Sequence, residues 1–103
     1  MVASFTIIPV GNGEELKEKV AEIIKIIHDS GIDYKLGAMQ TTVEGSWEEV
    51  MTVIKACHDK MLEISNRCLT SITIDDRTGF ENRLTGKVTD VVNILKNRSL
   101  NIE

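Results

Sequence analysis

The chain opens with a two-residue alternation and then changes period. Ala3, Phe5 and Ile7 alternate with Ser4, Thr6 and Ile8, the repeat of a strand with one buried face. The pattern predicts a strand over Val2 to Val10, ended by Pro9, because a proline cannot donate to a ladder. Asn12-Gly13-Glu14-Glu15 reads as a turn and capping box, with Asn12 as the cap and Glu15 reaching back. Leu16, Val20, Ile23, Ile24 and Ile27 then recur at helical spacing, which predicts one buried face. Glu18, Lys19, Glu22, Lys25 and Asp29 project elsewhere, and Gly31 supplies the left-handed residue that stops the helix.

From Ile32 to Gly45 the pattern predicts two short strands, Asp33 to Leu36 and Gln40 to Glu44, joined by a tight turn or bulge near Gly37-Ala38. Ser46-Trp47-Glu48-Glu49 is a second capping box, Ser46 pairing with Glu49. The helix after it carries Val50, Ile54, Cys57, Met61 and Ile64 as its buried stripe. In the last strand, Cys68 to Asp75, Cys68, Thr70, Ile72 and Ile74 alternate with Leu69, Ser71 and Thr73. Asp76 to Asn82 reads as a polar loop, and Val88, Val91, Val92 and Leu95 mark a short third helix.

The order β-α-β-β-α-β with a helix appended matches the split βαβ unit, so the expected architecture is α+β. It is a ferredoxin-like sandwich with a four-stranded antiparallel sheet and an extra C-terminal helix. Both main helices would cover one sheet face. Ser4, Thr6, Ser71 and Thr73, with Ile8 and Leu69, would lie on the other. A chain this small buries only roughly two-thirds of its unfolded surface. Covering the open face with a second copy is therefore the expected remedy, by sheet faces or sheet edges in a closed homo-oligomer.

Composition narrows the reading. The 103 residues are 42% hydrophobic and 27% charged, which predicts one domain over 1–103 and excludes a disordered chain. No apolar run approaches the roughly 20 residues of a membrane span. The first residues lack the basic start of a signal peptide, so a cytoplasmic protein is expected. A formal net charge of −4 argues against nucleic-acid partners, which need Lys and Arg on phosphates. Cys57 and Cys68 form no CxxC and are expected to be reduced, buried thiols. His28 and His58 have no ligand at metal spacing, no nucleophile motif or phosphate-cradling glycine loop is present, and no base beside either cysteine is evident. No catalytic residue, metal or cofactor is expected.

One stretch is distinctive. Tyr34, Gly37, Met39, Thr41, Glu44 and Gly45 stand between Ile8-Pro9-Val10 and the segment formed by Arg67 and Ile74-Asp75-Asp76-Arg77. In that order they resemble the small thiamine-binding-protein-like family, from about Val2 to about Leu95. Ala38 and Gln40 depart from the pattern, standing where Pro and Gly are common. The resemblance implies a ferredoxin-like domain that forms dimers or tetramers. It further implies a pocket near subunit contacts that binds thiamine or a related hydroxymethylpyrimidine without catalysis.

Such a ligand has an aminopyrimidine edge, a flat ring and a thiazolium cation. The candidate contacts are Glu44 as carboxylate, Thr41 as hydroxyl, and Met39 and Trp47 as the wall. Ser4 and Thr6 are candidates to line the same cavity, and Arg67 to meet an anionic group or Glu44. Each residue has a plainer role: Glu44-Gly45-Ser46 as strand exit and helix cap, Met39 as core filling, Trp47 packed on a loop, Ser4 and Thr6 in a sheet contact. Asp75-Asp76-Arg77 is either a clamp for a charged group or a salt-bridged strand end. The competing functional class is a regulatory or assembly module that binds another protein through the open sheet face.

Overall fold

In a computed structural model, residues 1–11, 16–79 and 83–98 are described. The elements run β1 (Val2–Pro9), α1 (Leu16–Ser30), β2 (Asp33–Leu36), β3 (Thr41–Glu44), α2 (Trp47–Ile64), β4 (Cys68–Asp75) and α3 (Arg83–Asn97). The strands form one antiparallel sheet in the order β2-β3-β1-β4, the ferredoxin-like arrangement expected from the element order. The proposed cap at Asn12 and Glu15 and the end of the polar loop at Asn82 lie outside the described residues.

Local signals place the elements where the sequence puts them. Gly31 adopts φ +79° after α1, the region in which an L side chain is strained. The Ser46 hydroxyl accepts the Glu49 N–H at 3.1 Å, and the Glu49 carboxylate accepts the Ser46 N–H at 2.9 Å. The Ser46 N–H bond, and after it the Ser46 hydroxyl, hold the Glu49 carboxyl below its ordinary value.

The core lies between the sheet and the pair α1 and α2. Ala3, Phe5 and Val43 meet Ile23 and Ile27 of α1 and Val50, Val53, Ile54, Cys57 and Met61 of α2. Burial pushes the Cys57 thiol up to about 11, because a thiolate is poorly solvated among apolar side chains.

The apolar stripe of α1 is only partly buried. Ile23 and Ile27 are in the core, whereas Val20 and Leu16, one and two turns earlier, are exposed. The second sheet face is not bare either. Glu44 and Asp75 flank Val2 across the sheet, on the side away from the core. The Glu44 carboxylate there accepts the N–H groups of Arg83 and Leu84 at 2.7 and 3.2 Å. Lys87 forms an ion pair with Asp75. The first turn of α3 is thus held against the open face, yet no described residue of α3 is buried.

Candidate functional site

Strand lengths create the site. β4 pairs with β1 along its whole length, Val2–Pro9. β3 pairs only with Val2 to Phe5, ending at the Phe5–Thr41 pair. Beyond that pair the β2–β3 turn diverges, so Thr6, Ile7 and Ile8 have β4 on one side and a groove on the other. The groove holds about 370 Å³, within the range of small-molecule sites. Its floor is Phe5 to Ile8 with Met61, one wall is Leu16, Val20, Ile23 and Ile24 of α1, and the other is Leu36 to Thr41. It continues outward over Ala21 and Lys17. No described residue lining the 370 Å³ groove is charged.

The turn that forms the second wall is tight. The Gly37 N–H donates to the Gln40 carbonyl at 3.0 Å. A Cβ at Gly37 would sit 2.5 Å from that same oxygen, so only glycine lets the turn close. Met39, beside it, is 89% exposed, whereas Thr41 at the strand start is 8% exposed.

The opposite end of the sheet is polar. A cavity of about 180 Å³ lies among Met1, Val2, Glu44, Asp75, Arg77, Arg83 and Lys87. A wider cleft of about 510 Å³ adds Asp33, Glu49, Asp76 and Ser46. Its charges are largely engaged by the protein. Glu44 holds α3, Asp75 pairs with Lys87, Glu49 caps α2, and the Met1 ammonium donates to the Gly45 carbonyl at 2.7 Å.

The seven residues singled out from the sequence therefore do not form one cluster. Met39, Thr41 and Thr6 line the apolar groove. Glu44 lies at the other end of β3, and the strand alternation turns it away from the side on which Thr41 is buried. Ser4 sits on the open face between Thr42 and Thr73, apart from the groove. Trp47 is 54% exposed at the first position of α2. Arg67 precedes β4, where its carbonyl accepts the Val10 N–H at 2.8 Å; it cannot reach Glu44, because the full length of β1 separates them.

Residues that the sequence alone left unassigned to the site are Ile8, Leu16, Val20, Leu36, Gln40 and Met61. Leu16, Val20 and Met61 stand in helical apolar stripes, which point to core, Ile8 is placed by the strand alternation on the open sheet face, and Gln40 stands out only as a departure from the family pattern. The expectation that no base adjoins a cysteine also changes, since His58 Nδ1 lies 3.7 Å from Cys68 Sγ and 2.6 Å from Thr70 Oγ1. Both cysteines are free, and Cys57 alone of the two is buried. No described helix is long and apolar enough to cross a membrane.

Comparison with known proteins matches residues 3–92 to a family described as thiamine-binding protein. A UPF0045 protein of Mycobacterium bovis is 34% identical over 92 residues, covering 88% of this chain and 90% of its own. A solved structure from Methanocaldococcus jannaschii superposes with a TM-score of 0.80 at 29% identity, covering 87% of this chain and 93% of that one. Another, from Thermotoga maritima, is described as a candidate thiamine biosynthesis or salvage protein. It has a TM-score of 0.76 at 26% identity and covers 87% and 96% of the two chains.

Proposed function

The chain belongs to the thiamine-binding protein family, and on that premise we propose that it reversibly captures thiamine or a related hydroxymethylpyrimidine in the groove beside Thr6, Met39 and Thr41, without catalysing a reaction on it. The observation that carries the reading is the early end of β3. It leaves one side of β1 without a strand partner, next to uncovered apolar side chains of α1 and the exposed thioether of Met39. A flat ring entering there displaces water from apolar surface at roughly 25 cal/mol per Å². The thioether is suited to an aromatic ring, and the Thr41 hydroxyl, on the α1 side of the sheet, supplies a polar contact. The thiazolium cation stays toward the open mouth, because no carboxylate is among the described residues that line the groove.

The groove opens at the surface, so a neighbouring subunit would complete it. β4 is an edge strand with Leu69, Ile72 and Ile74 exposed, and α3 exposes Val88, Val91 and Ile94. These surfaces support a homo-oligomer, a dimer or tetramer, and the compartment we propose for it is the cytoplasm. They also favour the second reading, an assembly module for another protein.

A thermal-shift titration with thiamine and with 4-amino-5-hydroxymethyl-2-methylpyrimidine tests the choice on the wild type, Met39→Ala and Glu44→Ala. A ligand that binds only the folded state raises Tm with concentration. The rise is expected in the wild type, diminished in Met39→Ala and retained in Glu44→Ala. The reverse pattern moves the site to the acidic cleft. No rise up to about 1 mM, weaker than roughly −4 kcal/mol, sinks ligand capture and leaves the assembly module.

A further inference from the structure

Building on that ligand reading, we infer that the Gln40 side-chain amide is the specificity determinant of the groove, pairing through two hydrogen bonds with the amine and adjacent ring nitrogen of a 4-aminopyrimidine. The argument starts from the groove's polar inventory. Among the described lining residues there is no charge, and the polar side chains are the hydroxyls of Thr6 and Thr41 and the amide of Gln40. An aminopyrimidine edge presents an N–H donor next to a ring-nitrogen acceptor. A hydroxyl offers a single donor on a rotor, whereas a primary amide holds a carbonyl acceptor and an N–H donor in one plane. This is the complementarity by which Asn and Gln read adenine.

Placement supports the role. Gln40 is the last residue of the turn, and its backbone carbonyl is fixed by the Gly37 N–H at 3.0 Å. The missing Cβ of Gly37 allows that closure. The side chain therefore springs from an anchored backbone in the groove wall that lies across from Leu16, Val20, Ile23 and Ile24 of α1. The side chain itself is exposed, so its mutation leaves the core untouched.

Isothermal titration of the full chain tests the inference with two probes, 4-amino-5-hydroxymethyl-2-methylpyrimidine and its analogue lacking the 4-amino group. The proteins are wild type and Gln40→Met, which keeps side-chain length and apolar contact but removes the amide. Wild type is expected to prefer the amino probe by roughly tenfold to a hundredfold, the range for one bidentate amide pair. Gln40→Met is expected to lose that preference through weaker binding of the amino probe, with the deamino probe unchanged within about threefold. If Gln40→Met binds the amino probe like wild type, or loses both probes equally, the amide does not read the edge. Capture in the groove survives either result. If wild type binds neither probe, the ligand reading fails and this inference falls with it. Equal Tm values for the two unliganded proteins exclude a folding defect as the cause.

Discussion

The two ends of β1 are finished in opposite ways. At the Val2 end the strand has partners on both sides, and the nearby charges close on the protein itself. Glu44 holds the first turn of α3, Asp75 pairs with Lys87, and the Met1 ammonium bonds to Gly45. At the Pro9 end β3 has already turned away, leaving Leu16, Val20 and Met39 uncovered around a groove whose described lining residues carry no charge. The contrast teaches where to look for a ligand. The more conspicuous carboxylates, Glu44 and Asp75, are engaged in holding the fold, whereas the uncovered surface is apolar.

The largest expected effect tests that contrast within one helix. Ile27→Ala, deep in the core, is expected to cost about 2–5 kcal/mol of unfolding free energy. Val20→Ala, on the same stripe but 38% exposed, is expected to stay within about 0.5 kcal/mol. Urea denaturation of both variants checks this, and equal losses would mean that the groove end is as tightly packed as the core.

Next in size is a pH effect from the core behind the groove. The Cys57 thiol ionises near 9.0 when unfolded and is pushed up to about 11 by burial. A folded pKa above the unfolded one gives stability that is full below the unfolded value and declines as pH rises toward the folded value. Stability is therefore expected to decline between about pH 9 and 11, and denaturation of Cys57→Ala across that window should show a shallower decline. An identical slope in the two proteins would assign the loss to other groups.

The smallest effect sharpens the polar end. Glu44→Ala removes the acceptor for two N–H groups of α3 and is expected to cost about 1 kcal/mol, the size of a helix cap. Amide exchange should quicken across α3 while β1 and β3 remain protected. Faster exchange throughout the sheet would instead make Glu44 a support of the whole fold.

Much of the fold was legible in the sequence because its signals are local. Ser46-Trp47-Glu48-Glu49 carries its capping box within four positions, Gly31 marks a left-handed stop, and the alternation from Cys68 to Asp75 announces a strand before any partner is known. The site was legible only in part. Met39, Thr41 and Thr6 do meet in one groove. Glu44 was drawn away because alternation along β3 turns it to the other sheet face, where backbone groups 39 and 40 positions distant recruit it.

The sequence by itself determined the order and type of the elements and which side of each strand is apolar, since periods of two and 3.6 residues depend on neighbours in the chain. Tertiary structure alone decided where β3 stops pairing with β1, that the first half of the α1 stripe stays uncovered, and that α3 is pinned to the open face by Glu44 and Asp75. Those outcomes depend on register and on contacts between distant residues. A groove made by one strand ending before its neighbour has no period of its own in the sequence, even though Gly37, Met39 and Thr41 of its wall stand in a recognisable stretch.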